Sequence, residues 1–245
     1  QSGSFLGPSF SNEDIRAFLD RNGYRYHPVE PAERGNRIAE AIAAGKIVGY
    51  LAGRMEFGPR ALGARSILGD PRSDTTQSTM NLKIKYRESF RPFAPSVLED
   101  RCADYFDAEG PSPYMLLVAP VQKARRLPQP DGLTGISDRL KVRRSDIPAV
   151  THLDYSARLQ TVNRDTKRDF YEVIEAFERL TGCPVIVNTS FNIRGEPIVC
   201  SPEDAYRCFM RTDMDVLVLE DCILYKNEQI AGAWTKEWDH ARALD

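Results

Sequence analysis

Apolar positions along the chain change period several times, and each change marks an element. Ile15, Phe18 and Leu19 fall at helical spacing behind Ser11 and Asp14, a capping hydroxyl with a carboxylate three residues on, and Gly23 follows as a stop. This predicts a short surface helix. After a turn at Pro28 to Pro31, Ile38, Ala41 and Ile42 predict a second amphipathic helix closed by Gly45, and the apolar run 46–52 predicts a buried strand. Residues 114–119, 151–153 and 158–162 read as further strands. Phe170, Ile174, Phe177 and Leu180 share one face of a helix stopped by Gly182 and Pro184, and residues 185–187 form a short buried strand that delivers the polar run 188–197. Ser201, Pro202, Glu203 and Asp204 make a strong helix start: a cap, a proline at the first helical position and two acids in the first turn. Strands at 216–219 and 223–225 close the core, and the tail 231–245, with Trp234 and Trp238, is a docked helix or a fray. Strands alternating with helices predict one α/β (α+β) domain with function on loops at strand ends.

Two segments break this texture. Between residues 53 and 95 the chain carries Arg54, Arg60, Arg65, Arg72, Lys83, Lys85, Arg87 and Arg91 among several glycines and prolines, with few acids. A helix fits at 75–83, and the rest reads as irregular backbone and short strands. Residues 122–148 are polar and aperiodic, which predicts a long surface excursion able to act as a lid. Charge enters only as a local quantity, since 33 Lys plus Arg against 35 Asp plus Glu leave a net −2. That balance argues against a protein that is basic overall, and no run of 18 apolar residues exists to span a membrane. Residues 1–4 have no signal-peptide character and read as a cloning remnant, which leaves a domain over 5–230 and a cytoplasmic setting.

Metal and thiol chemistry find no footing. Cys102, Cys183, Cys200, Cys208 and Cys222 include no CxxC pair, and His27, His152 and His240 stand far apart, so buried small hydrophobe is the plain reading of the cysteines. The basic segment suits an oxyanion instead. Gly and Pro fix unusual turns while arginine presents a planar donor fork. A solvated surface is the alternative. Against it, Arg60 and Arg91 sit among Phe57, Pro59, Leu62, Phe90, Pro92 and Phe93, a company that tends to be buried, and a buried Arg needs an anionic partner. The run 58–63 is not a phosphate-binding P-loop, because Ala64-Arg65 follows Gly63 where Lys-Ser/Thr is required, and Pro59 has no N–H to give. Asn188, Ser190, Asn192 and Arg194 follow a buried strand, where they either ligate phosphate or form an ordinary Asx-type turn. Arg158 would add a third charged wall.

The runs 53–72, 81–95 and 187–197 strongly resemble the C-terminal domain of the O-carbamoyltransferases of antibiotic and nodulation-factor biosynthesis, and the likeness extends from about Phe5 to Lys226. The resemblance implies a YrdC-like twisted open sheet flanked by helices that makes carbamoyl-adenylate from carbamoyl phosphate and ATP. Mg²⁺ is then expected to ride on the ATP phosphates, with no metal site of the protein's own. It implies catalytic roles for Arg60, Lys85 and Arg91, and substrate or ATP contacts for Arg158, Asn188, Ser190, Arg87 and Arg194. In the family an actin-like N-terminal domain receives the intermediate and carries the hydroxyl acceptor; no such half is present in this sequence, which is therefore a truncated chain or a separate subunit. Phe57, Phe90 and Phe93 are candidate walls to keep water from labile carbamate. Two other readings stand beside this one. The chain is a non-catalytic nucleotide- or anion-binding subunit that needs a partner, or it binds double-stranded RNA through a positive YrdC-like face, against which the net charge argues.

Overall fold

Helices form where their caps predict them. α1 (Asn12–Asn22) starts at a reciprocal Ser11–Asp14 capping box and ends at Gly23, whose φ of 65° is left-handed. α2 (Pro31–Ala43), α3 (Thr76–Lys83) and α4 (Arg168–Thr181) follow, and α5 (Pro202–Met210) opens on a second capping box between Ser201 and Asp204. The computed structural model describes residues 3–130, 135, 139–140 and 142–230. The tail with Trp234 and Trp238, and part of the 122–148 excursion, lie outside the described residues.

The strands are β1 (His27–Pro28), β2 (Val48–Leu51), β3 (Arg65–Gly69), β4 (Ala94–Leu98), β5 (Val118–Pro120), β6 (Ser156–Arg158), β7 (Gln160–Val162), β8 (Val185–Ser190), β9 (Val216–Leu219) and β10 (Cys222–Tyr225). Eight of them make one open mixed sheet in the order β1-β10-β9-β2-β3-β8-β4-β7, while β5 and β6 pair as a separate ribbon. Pairing is parallel at β2–β9 and β4–β7 and antiparallel elsewhere, so β8 runs against both its neighbours. Burial along the whole of β2 and β9 explains why apolar runs rather than alternation mark such strands. Tyr50 of β2 packs its ring 6.1 Å from Phe170 of α4, while Gly49 faces Phe191 and Met214, so the sheet is covered on both faces. This is the mixed α/β domain with helices flanking an open sheet that the sequence predicts.

Several local expectations change in detail. The basic segment holds two full central strands, β3 and β4. β3 is disguised because Arg65 opens it, yet Arg65 is fully buried, donating to the carbonyls of Cys200 (3.2 Å), Gly53 (3.1 Å), Ala64 (3.0 Å) and Pro8 (3.1 Å). β4 is disguised by Pro95, which is tolerated because pairing with β7 begins one residue later, at Ser96. The apolar run 114–119 yields only the start of β5, and Leu116, Leu117 and Val118 are 65%, 62% and 64% exposed. Residues 151–153 form no strand; Thr151 is buried in a turn, its hydroxyl bonded to Ser145 (2.7 Å) and Ile147 (2.9 Å). Ser4, set aside on sequence grounds, is buried, and its carbonyl accepts the Phe57 N–H at 2.6 Å. Among the described residues no helix is long and apolar enough to cross a membrane.

Gly63 shows how tightly the basic loop is seated on this frame. Its φ is 101°, and a Cβ there would lie 2.2 Å from the buried ring of Phe170. Both the backbone strain and the clash oppose a side chain, and neither can relax without moving α4. Gly63→Ala is expected to lower unfolding free energy by at least about 2 kcal/mol, read from the urea midpoint at unchanged slope.

Candidate functional site

Loops converge on the C-terminal end of β8. The loop 56–64 is built by Glu56, which is buried and whose Oε1 accepts the backbone N–H groups of Leu62 (2.7 Å), Ala64 (2.7 Å) and Arg65 (3.3 Å). A carboxylate used this way satisfies donors that a tight turn would otherwise leave unpaired, and it leaves Arg60 at the loop's apex. The loop after α3 turns at Tyr86, a non-glycine residue at φ 48°. On either side of that kink Lys85 is buried and Arg87 is half-buried.

Lys85 serves the site from behind. Its ammonium donates to the Ser190 carbonyl, to Ser190 Oγ (3.2 Å) and to Asn192 through both its carbonyl (2.9 Å) and Oδ1 (2.8 Å). All four partners are neutral oxygens, so no carboxylate compensates the buried charge, and burial pulls the Lys85 pKa down to about 7. The effect is to pin the turn after β8. Ser190 Oγ and Asn192 Oδ1 are 2.7 Å apart, and Asn192 Nδ2 donates to the Glu196 carbonyl at 2.7 Å, so this polar run is a built turn as well as a lining.

Two adjoining pockets result. The larger, about 280 Å³, is lined by Lys85, Arg87, Glu88, Arg91, Thr189, Ser190, Asn192 and Arg194, with Ile193 and Gly195. The smaller, about 130 Å³, is lined by Arg60, Arg87, Arg158, Asn188, Thr189 and Ser190 with Pro59, Ala61, Pro92, Phe93, Ala94 and Met115. Arg87, Thr189 and Ser190 belong to both. The structure thus gathers all the sequence-predicted residues on one surface: Lys85, Arg91 and Arg194 in one pocket, Arg60, Arg158 and Asn188 in the other, Arg87 and Ser190 between them. Glu88 is the single acid of the combined lining, 3.5 Å from Arg91.

The electrostatics are those of crowded cations. Burial first and Arg60 second lower the Arg158 pKa, and burial followed by Arg91 lowers that of Arg87. Arg87 is steadied by Asn81 Oδ1 at 2.6 Å and by the Phe93 ring, 4.8 Å from its guanidinium carbon. Three residues that line the smaller pocket each carry a buried atom with no hydrogen-bond partner: Arg60 Nε, Arg158 Nε and Asn188 Oδ1. Among the described residues no group of three or more His, Cys, Asp or Glu side chains could hold a metal.

Some expectations shift in detail. Arg91 is exposed rather than buried, and Phe57 and Phe90, proposed as walls, are 74% and 51% exposed; only Phe93 lines the site. Four of the cysteines are buried, and Cys200 is half-buried. Sequence reasoning missed Glu56 and Gln160. Gln160, buried on β7, donates from Nε2 to the Leu62 carbonyl (2.9 Å), while its Oε1 accepts from Ser96 (2.5 Å) and from Asn188 Nδ2 (2.8 Å). Nothing in the linear pattern marks these two, because their partners are backbone atoms and residues far along the chain.

Comparison with known proteins agrees with this arrangement of motifs. The sequence profile described as Carbamoyltransferase C-terminus matches residues 39–226. The uncharacterized protein sll1178 of Synechocystis is 53% identical over 251 aligned residues, covering 100% of this chain and 40% of that protein. Nodulation protein NolNO of Sinorhizobium fredii is 43% identical over 82% of this chain and 27% of its own length, and nodulation protein NolO of Bradyrhizobium diazoefficiens is 37% identical over 94% and 40%. The chain therefore spans well under half the length of these relatives. A solved structure of full-length HypF in the phosphate- and nucleotide-bound form overlaps 92% of this chain and 22% of its own at 16% identity, with a TM-score of 0.47, too loose to carry a functional argument. With the profile spanning most of the sheet and every loop of the two pockets, the chain belongs to the carbamoyltransferase C-terminus family.

Proposed function

We propose that this domain activates carbamate: it forms carbamoyl-adenylate from carbamoyl phosphate and ATP, for transfer to a hydroxyl acceptor held on an actin-like-fold partner domain. One observation carries the reading. The residues that line the small pocket carry three buried unpaired atoms: two cationic donors, Arg60 Nε and Arg158 Nε, and one neutral acceptor, Asn188 Oδ1. Leaving such groups buried and unmatched is costly. Their complement is a small ligand with anionic oxygens and an N–H, which describes a carbamoyl group on phosphate.

Carbamoyl phosphate takes up water and releases inorganic phosphate and a proton, leaving carbamate. A carbamate oxygen then attacks the α-phosphorus of ATP in line, and the bond to pyrophosphate breaks. Mg²⁺ travels with the ATP phosphates as part of the substrate. The protein supplies no covalent nucleophile; Arg87, Arg91 and Arg194 in the larger pocket offset the phosphate charge, and the rigid turn behind Ser190 fixes where it sits.

The exposure of Phe57 and Phe90 favours a second reading, in which the chain binds both anions but closes over them only against its partner. Pyrophosphate exchange separates the two. The 245-residue chain is expected to move labelled pyrophosphate into ATP only when carbamoyl phosphate is present. Arg60→Ala and Arg158→Ala should each lose roughly ten- to a hundred-fold, as for a charged hydrogen bond of about 1.5–3 kcal/mol, with melting temperature unchanged. A folded chain without exchange overturns autonomous activation, and recovery on adding the acceptor domain selects the second reading.

A pH signature follows from Lys85. An anion placed beside a lysine whose pKa has fallen to about 7 raises that pKa, so binding draws in a proton where the free site is partly neutral. Calorimetry with sulfate, in buffers of differing ionisation enthalpy, should show proton uptake between about pH 7 and 8 and none below about pH 6, where the ammonium is already charged. Lys85→Met should abolish the uptake.

A further inference from the structure

We infer that Gln160 sets the amide orientation of Asn188 and thereby makes the small pocket select an acyl group bearing N–H, carbamoyl over acetyl. The inference rests on the carbamoyl reading above and specifies how that substrate is told from its closest look-alike.

The chain of constraint starts at a backbone oxygen. Leu62 C=O can only accept, so the Gln160 amide must turn Nε2 toward it (2.9 Å) and Oε1 away, and a flipped amide would set two oxygens against each other. Oε1 then faces Asn188, 2.8 Å off, and accepts one Nδ2 hydrogen, while the Ala61 carbonyl takes the other at 3.3 Å. With both hydrogens committed, Asn188 has one orientation, and Oδ1 is the part of it left over. That oxygen is buried and unpartnered, and Asn188 is among the residues that line the pocket. The Ser96 hydroxyl, 2.5 Å from Gln160 Oε1, adds a second donor to the same atom and steadies it. Ser96 and Gln160 stand opposite each other in the β4–β7 register, and Asn188 lies on the next strand, so the relay runs across three strands.

Selectivity follows from the acceptor. An amide NH₂ satisfies Oδ1; a methyl of the same size leaves it buried and unpaired. A site built to receive a hydrogen bond rejects the analogue that cannot make it more strongly than an apolar pocket rejects a shape. Gln160 touches neither anion in this scheme and is a positioning residue.

The test uses two stable probes that differ only in this group, phosphonoacetamide and acetonylphosphonate, with inorganic phosphate as the common anion. On the full chain the amide is expected to bind at least about tenfold more tightly than the ketone, the size of one hydrogen bond. Gln160→Met, which removes the acceptor that holds Asn188, should bring the two within about threefold while phosphate affinity holds, because the arginines are untouched; the melting temperature should fall, since the Leu62 carbonyl, the Ser96 hydroxyl and Asn188 Nδ2 each lose a buried partner. If Gln160→Met lacks a cooperative melt, Gln160→Ala takes its place. Wild type that binds phosphate but treats both probes alike overturns the inference and leaves the anion site standing. A tenfold preference that survives in Gln160→Met or Gln160→Ala overturns the role of Gln160. Failure of wild type to bind phosphate or either probe sinks the carbamoyl reading itself.

Discussion

Glu56 is the constraint on which the site rests. One of its oxygens gathers three backbone N–H groups from the loop it precedes, and through them fixes the carbonyls of Ala61 and Leu62. Those carbonyls in turn orient Asn188 and Gln160. Arg65, at the far end of the same loop, ties the backbone at Pro8, Gly53 and Cys200 to the sheet. A charged residue of each sign is thus spent entirely on backbone, in a region too rich in glycine and proline to hold its shape by regular hydrogen bonding. Buried charges used in this manner are weak contributors to stability and strong contributors to a single geometry.

The remaining cations have a different status. Arg60, Arg87 and Arg158 crowd a small space with no carboxylate partner in its lining. Such crowding opposes folding, and the large apolar core around β2, β3, β8 and β9 offsets it. Burial first, and then Arg60 for Arg158 and Arg91 for Arg87, lower the pKa values of these two arginines, so the positive potential is built into the fold.

Much of this was legible in the chain. Caps at Ser11 and Ser201, stops at Gly23 and Gly182, and the apolar runs of β2, β8 and β9 located most helices and half the sheet. The candidate site was legible as residue types, since Arg60, Arg91 and the 188–194 run stand out against their apolar neighbours. Glu56 stayed hidden because its partners are backbone N–H groups; the other hidden residues have partners distant in sequence. Arg65 reads as a surface cation until Pro8 and Cys200 are brought to it, Pro95 reads as a strand breaker until the β7 register is known, and Gln160 is one polar residue in a short strand. Leu116 and Leu117 failed in the other direction, because an apolar run says what prefers burial and not what receives it.

The strand order β3-β8-β4 has a consequence in time. Lys85 precedes β8 by about a hundred residues, yet its ammonium finds its partners, Ser190 and Asn192, only once β8 lies between β3 and β4. Pairings of such sequence separation carry a loop-closure cost that is recovered only on completion. A growing chain therefore exposes its arginine loops well before the strand that organises them has been made. The site is among the last features to form during synthesis, and a chain released short of residue 190 would carry the cationic loops without the scaffold that orients them.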